Sequence, residues 1–280
     1  MARGIRTIDT VGARYFMSAH KPRLTKDGGN MKRVLITGMS GLIGGLLRRH
    51  LEESGGYELS ALNRSPVEGL ECLQADIEDL EAIKPAFEGK DVVVHLAACL
   101  DFDDWEGNLS ANVTGTRNVY EAARLAGVKR VVFASSGSTI MGFEREEPYK
   151  AISEGRYDEV PEEIPQITHD QIRPYGVYGA SKVWGEALGR HYSDAHGLSV
   201  LCVRISSVTQ GNRPRSTREN AVYLSHRDVC QILQRCIDAP GDLAYDIFFA
   251  ASRNRWGYRD LEHPREVLGY EPQDSADEFI

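Results

Sequence analysis

A chain of 280 residues, 41% of them hydrophobic, can bury one sizeable α/β core with a smaller lobe appended, rather than two independent domains. Its net charge of −8 argues against nucleic acid as a partner, since a phosphate-binding face is strongly basic, and no apolar run approaches the roughly twenty residues that a membrane span needs. The five cysteines, Cys72, Cys99, Cys202, Cys230 and Cys236, are odd in number, scattered, mostly inside apolar segments and without metal-ligand spacing; they read as reduced thiols of a cytoplasmic protein that holds no metal.

Residues 1–30 stand apart from the rest. Arg3, Arg6, Arg14, Lys21, Arg23 and Lys26 face only Asp9 and Asp27, with no sustained period. The segment reads as a disordered extension ahead of a start at Met31, a transit peptide being the alternative. The ordered pattern begins with Val34 to Thr37, a short apolar, β-branched run suited to a strand buried on both faces, and turns helical from Ile43. Between them, Gly38 permits a tight turn, Gly41 lets the backbone approach a pyrophosphate, and Gly44 is expected to let the helix pack on the sheet. Phosphates would rest on free N–H groups at the helix N-terminus.

A second strand, Glu58 to Leu62, ends in Asn63-Arg64 about twenty residues later, where the dinucleotide fingerprint places its ribose-binding residue. A carboxylate at that point holds the ribose hydroxyls of NAD. With Asn63 and Arg64 there instead, the cofactor is expected to be NADP or NAD, leaning to NADP, because Asn63 can also hydrogen-bond an unmodified ribose.

The alternation continues with a strand over Glu71–Asp76, a helix opening at Ile77, a strand over Asp91–Ala98, a helix over Asn112–Ala126 and a strand over Val128–Ala134. Strands alternating with helices imply an α/β fold, a Rossmann-like, doubly wound parallel sheet with its ligand at the carboxyl ends of the strands. Residues 31–280 then form one dinucleotide-binding domain, its substrate lobe built mainly by 206–280. His95, ending the fourth strand, reads as a hydrogen-bonded wall residue more than a proton carrier. Glu144 to Glu163, rich in charge and proline, reads as a long surface insertion placed where it could act as a lid.

Ser135-Ser136 close the fifth strand, and Tyr178-Gly179-Ala180-Ser181-Lys182 follows. A spacing of four puts Tyr178 and Lys182 on one helix face. A phenol of reference pKa near 10 is a poor base unless an ammonium favours the phenolate, and Lys182 can supply that charge. A serine hydroxyl could hold the reacting oxygen while a nicotinamide accepts hydride. Beyond lie a sixth strand (Leu198 to Ile205), a loop with Arg213, Arg215 and Arg218, a helix from Arg227 to Ile237 and a strand near Asp246 to Phe249. The arginine loop reads equally as solvated or as a carboxylate or phosphate clamp; Trp256 and Tyr258 read as packing residues.

Thr37-Gly38-x-x-Gly41-x-x-Gly44, His95-Leu96-Ala97-Ala98, Asn112-x-x-Gly115-Thr116 and the Tyr178/Lys182 pair resemble an extended short-chain dehydrogenase/reductase of the NAD-dependent epimerase/dehydratase group, over essentially residues 31–280. The resemblance implies Tyr178 as general base, Lys182 lowering its pKa and binding the nicotinamide ribose, and Ser136 orienting the reacting hydroxyl. It implies Asp76 at the adenine edge and a cofactor held by Gly38, Ser40, Gly41, Leu42, Ile43, Gly44, Asn63, Arg64, Asp76, Ile77, Leu96, Ala97, Ala98, Asn112, Tyr178, Lys182 and Ile205. Ser136, Ser138, Ser207 and Arg215 would face the substrate, and a homodimer is expected.

Phe133-Ala134-Ser135-Ser136, Val203-Arg204-Ile205-Ser206-Ser207, Leu224-Ser225-His226-Arg227-Asp228 and Leu268-Gly269-Tyr270-Glu271-Pro272-Gln273-Asp274 are similar to the uronate dehydrogenases and related short sugar dehydrogenases. Two departures stand beside the substrate: Gly137-Ser138 replaces the usual Asn-His, and Tyr175 stands where those enzymes place an Asp. The short chain after Lys182 leaves little for a nucleotide pocket, so the expected substrate is a small, free, anionic sugar, a uronic acid or sugar phosphate, oxidised at a hydroxyl, with the anomeric one favoured. An epimerase or dehydratase acting on sugar nucleotides is the alternative. A binding module without catalysis is disfavoured by the intact Tyr/Lys pair.

Overall fold

The computed structural model describes residues 31–280, so the expectations for residues 1–30 lie outside the described residues. The first half runs β1 (Lys32–Thr37), α1 (Leu42–Ser54), β2 (Tyr57–Asn63), β3 (Glu71–Gln74), α2 (Leu80–Ile83), β4 (Val92–His95), the short α3 (Trp105–Gly107), a π-helical turn over Asn108–Gly115 and α4 (Thr116–Leu125). The second half runs β5 (Arg130–Ser136), α5 (Tyr149–Glu154), α6 (Gly176–His196), β6 (Ser199–Ile205), α7 (Glu219–Val222), α8 (His226–Asp238), β7 (Tyr245–Ala250) and α9 (Glu262–Leu268).

The seven strands form one sheet in the order β3-β2-β1-β4-β5-β6-β7, and every pairing is parallel. Alternate strand residues face opposite sides. Val34, Ile36 and Val94 pack under Leu47 and Leu51 of α1 and Val229, Ile232 and Leu233 of α8. Leu35, Val93 and Val131 pack under Val119 and Tyr120 of α4 and Tyr192 of α6. Burial on both faces is what the unbroken β-branched runs require, each such side chain contributing roughly 1.5–3 kcal/mol. The order reverses between β1 and β4, so a crevice opens at their carboxyl ends.

A third apolar cluster lies beyond the sheet, where Ile140, Ile152 and Ile167 meet Ala221, Val222, Phe249 and Tyr258. It corrects the reading of Glu144–Glu163 as a bare surface insertion. The segment carries α5, whose Ala151 and Ile152 are fully buried, and Ile152 joins this cluster with Ala221, Val222, Phe249 and Tyr258. The expected helix over Asn112–Ala126 is likewise interrupted: residues 108–115 form the π turn before α4 begins.

Candidate active site

The turn after β1 is built around close backbone approaches. Gly38 has φ 71°, and a Cβ there would stand 2.8 Å from the amide N of Ala97, in the loop after the neighbouring β4. At Gly41 a Cβ would meet only the Gly38 carbonyl, at 3.3 Å, so its other side is open. Gly44 differs from the expectation: a Cβ would lie 2.6 Å from both Gly38 O and Met39 Cα, so this glycine seats α1 on its own turn rather than on the sheet. The Gly41 cap has no side chain to satisfy the helix, and the first turn has no acid. The amides of Leu42, Ile43 and Gly44 therefore remain donors at the positive end of α1, the arrangement that binds phosphate.

At the end of β2, Asn63 donates from Nδ2 to Ser40 Oγ (2.6 Å), while its buried Oδ1 has no partner. Arg64 beside it is exposed. Asp76 accepts from the Glu78 amide (3.1 Å), and Ile77 fills the space where a Cβ on Gly115 would come within 2.5 Å of its Cδ1. The loop Leu96–Ala98 is pinned from both ends. Thr37 Oγ1 accepts from the Ala97 amide (3.1 Å), and Asn112 accepts from the Cys99 amide and donates to the Cys99 carbonyl, both at 2.9 Å. Asn112 also reaches Asn108 Oδ1 (2.7 Å) and Ser181 Oγ (3.1 Å), so the widened π turn carries a side-chain clasp joining the β4 loop to α6. His95 lies between the hydroxyls of Thr37 (2.8 Å) and Thr116 (3.1 Å). Burial, with the Lys182 charge adding to it, lowers its pKa to about 3, so it is a neutral wall residue.

Tyr178, Lys182 and Ser136 come together where α6 crosses the end of β5. Gly179 allows the approach, since a Cβ there would lie 2.6 Å from the Ser138 carbonyl. Ser136 Oγ accepts from the Ser138 amide (3.1 Å) and its hydroxyl donates to Ser138 Oγ (3.2 Å). Burial pushes the Tyr178 phenol above its ordinary value, and a hydrogen bond with Ser136 opposes the rise. Lys182 is 3% exposed; its ammonium donates to the Ala134 carbonyl (2.9 Å) and lies 5.6 Å from the Tyr178 ring centre. Burial lowers its pKa to about 8, against the raising influence of Glu186. Tyr175 packs its ring on Phe102, which in turn packs on Tyr178.

One helical turn beyond Lys182, Glu186 accepts both arms of the fully buried Arg204 at 2.9 Å and the Ser135 hydroxyl at 2.5 Å. The sequence reading missed Glu186, although its spacing of four from Lys182 was the signal available.

Beyond β6, Ser207 donates to Glu219 Oε1 (2.8 Å), which also takes Arg215 Nη2 (2.7 Å). The Arg215 side chain remains 70% exposed. Arg218 instead forks onto Glu144 (2.5 and 2.7 Å), which also receives the Tyr258 hydroxyl (2.5 Å). Two of the three loop arginines are thus compensated by carboxylates: Arg215 by Glu219, four residues along the chain, and Arg218 by the distant Glu144, which no local pattern marks. Ile205 and Ser138 line the same strand ends, at the last residue of β6 and just past β5. Among the described residues, the grouping with metal-ligating chemistry is His169, Asp246 and His263, where His263 Nε2 meets Asp246 Oδ1 at 2.9 Å and the two imidazoles stack 4.2 Å apart.

Residues 34–227 match the NAD dependent epimerase/dehydratase family. A NAD-dependent glucose-6-phosphate dehydrogenase of Haloferax volcanii is 34% identical, over 88% of this chain and 95% of that protein. An L-arabinose 1-dehydrogenase (NAD(P)(+)) of the same organism is 32% identical, over 88% of this chain and 98% of that one. The crystal structure of uronate dehydrogenase from Agrobacterium tumefaciens aligns with a TM-score of 0.75 at 34% identity, covering 89% of this chain and 87% of that one.

Proposed function

The chain belongs to the NAD dependent epimerase/dehydratase family, and from that premise we propose that it oxidises a hydroxyl of a small free sugar, delivering hydride to NAD(P). The observation that carries the reading is the convergence of Ser136, Tyr178 and Lys182 at a strand end beside the crevice of the glycine turn. The relatives similar over nearly the whole chain are sugar dehydrogenases, which favours net oxidation over the epimerase alternative.

The residues present fit a dinucleotide. The free amides of α1 suit a diphosphate, the open side of Gly41 leaves it room, and the unpartnered Asn63 Oδ1 is an acceptor for a ribose hydroxyl. Ser40, Arg64, Asp76, Ile77, Leu96, Ala97, Ala98, Asn112 and Ile205 complete the cofactor wall in this reading. When bound, NAD(P) supplies the hydride acceptor. Tyr178 takes the hydroxyl proton of the sugar as its carbon–oxygen bond becomes a carbonyl. Ser136 holds the oxygen, and Ser138 holds Ser136. Lys182 favours the phenolate and binds the ribose beside it. At the anomeric carbon the product is a lactone. Ser207 and Arg215 line the outer side of the sugar site. We assign a preference for NADP, because Arg64 is free to meet a 2′-phosphate and no carboxylate ends β2. A cytoplasmic homodimer completes the reading.

Mixing the protein with NADP or NAD and a panel of aldoses, uronic acids, sugar phosphates and nucleotide sugars tests it through the accumulation of reduced cofactor. Sustained reduction with a free sugar is the expected result, and Tyr178→Phe should lower kcat by about 10²–10⁴. Turnover of nucleotide sugars alone, without net reduction, would mark an epimerase. A higher kcat/KM for NAD than for NADP would overturn the cofactor preference.

A further inference from the structure

Arg259 is 3% exposed, yet its Nε and Nη1 are buried with no hydrogen-bond partner. It contrasts with the loop arginines: Arg215 and Arg218 each hold a carboxylate, and Arg259 holds none among the described residues. Its position is fixed by the scaffold. The Tyr258 carbonyl and the Asp260 amide, on either side of it, bond to the amide and carbonyl of Ile167 at 2.8 and 3.0 Å, and the guanidinium lies 4.8 Å from the centre of the Tyr258 ring.

The guanidinium is lodged against Gly137. A Cβ on that glycine would stand 3.0 Å from Nη2 and 3.5 Å from Nε. Gly137 lies between Ser136, which meets the Tyr178 phenol, and Ser138, which bonds Ser136. The uronate dehydrogenases that the sequence resembles usually carry Asn-His after the serine pair. Here the missing side chain at 137 leaves the room that Arg259 occupies.

A buried arginine cannot shed its charge as a lysine can, and burial without a partner is costly. Its planar fork matches an oxyanion. The cation lies against Gly137, the residue next in the chain to Ser136. We propose that Arg259 is the receptor for the anionic group of the substrate, a carboxylate or a phosphate carried by the sugar away from its reacting hydroxyl. The proposal rests on the sugar-dehydrogenase reading above and moves the anion from exposed Arg215 to the buried cation.

Two measurements on the full chain test it. In steady-state kinetics with a uronic acid, a sugar phosphate and the matching neutral aldose, Arg259→Met should lower the ratio of kcat/KM for the anionic sugar to that for the aldose by about 10- to 150-fold, and Arg259→Lys should restore part of it. A fall confined to the uronic acid identifies a carboxylate, and one confined to the sugar phosphate identifies a phosphate. An unchanged ratio overturns the assignment. The second measurement needs no turnover: thermal unfolding with added inorganic phosphate or free glucuronate. At least one should raise the Tm of the parent protein by more than that of Arg259→Met. Shifts that are the same in parent and variant with either ligand overturn the anion site itself, whereas a shift confined to the parent in a protein that oxidises no sugar leaves the anion site standing and removes the dehydrogenase reading.

Discussion

Arg204 and Arg259 are both buried arginines next to the same strand end, and they are handled in opposite ways. Arg204 forks onto Glu186, gives Nη1 to the Gln171 carbonyl (3.0 Å) and lies over the Phe249 ring. Arg259 has an aromatic ring to lie against and no acceptor for two of its nitrogens. The first arrangement is a closed network: it fixes β6, α6 and the end of β5 relative to one another, and through Glu186 it steadies the helix that carries Tyr178 and Lys182. The second is open. A protein that can satisfy one buried guanidinium so fully, yet leaves another unsatisfied close by, holds the latter for something that arrives.

The largest effect expected from this contrast is on stability. Glu186→Ala removes the carboxylate that receives Arg204 and the Ser135 hydroxyl, stranding a fully buried cation. Breaking such a pair costs roughly 3–5 kcal/mol, read from urea unfolding. A loss below about 1 kcal/mol would mean that Arg204 finds water or another partner, and the contrast with Arg259 would collapse.

Arg259→Met should act in the other direction in the same experiment. It replaces an uncompensated cation by an apolar side chain within a lobe already lined by Ile140, Ile167 and Tyr258, and should gain about 1–4 kcal/mol. Stability exchanged for function in this way is the mark of a binding residue. If the substitution destabilises as strongly as Glu186→Ala, Arg259 is structural and its apparent lack of partners is made good by water.

The same contrast explains what was legible in the sequence. The sheet, its order of elements and the nucleotide turn follow from local signals: β-branched runs buried on both faces, a glycine triplet with a strand before and a helix after, and a Tyr/Lys spacing of four. Those features depend on neighbours in the chain. Glu144 meets Arg218 and Tyr258 across the fold, and Arg259 meets Gly137 only after the C-terminal segment has wrapped back onto β5. An arginine in a polar stretch reads as solvated until tertiary contacts bury it, and no period in the sequence reports that. The π turn at residues 108–115 was hidden for a related reason: its apolar spacing is helical, and the widening comes with the clasp of Asn112 on Cys99 and Asn108. Nor did the charge and proline of Glu144–Glu163 disclose Ala151 and Ile152, two buried apolar residues of which Ile152 anchors the segment in the third apolar cluster.

Lys182 is a third buried cation, intermediate between the two arginines, and it gives the smallest of the expected effects. It has one acceptor, the Ala134 carbonyl, and unlike an arginine it can lose its proton. Burial holds it at about 8 in the folded protein against 10.5 as its ordinary value. Between those values the unfolded chain binds more protons than the folded one, so the contribution of Lys182 to stability rises with pH across that window; below it, the folded state carries the full cost of the buried charge. A single titrating group changes stability by at most 1.36 kcal/mol per pH unit, and between roughly pH 7 and pH 9 the gain should be about 1 kcal/mol. Lys182→Met removes this gain and nothing else that titrates in the site at those pH values, since His95 is already neutral and Tyr178 is raised. The difference between the two urea-unfolding curves as a function of pH isolates the lysine. Parallel pH dependences in parent and variant would show that Lys182 keeps its proton throughout, a fixed charge like the arginines rather than one that the site can release.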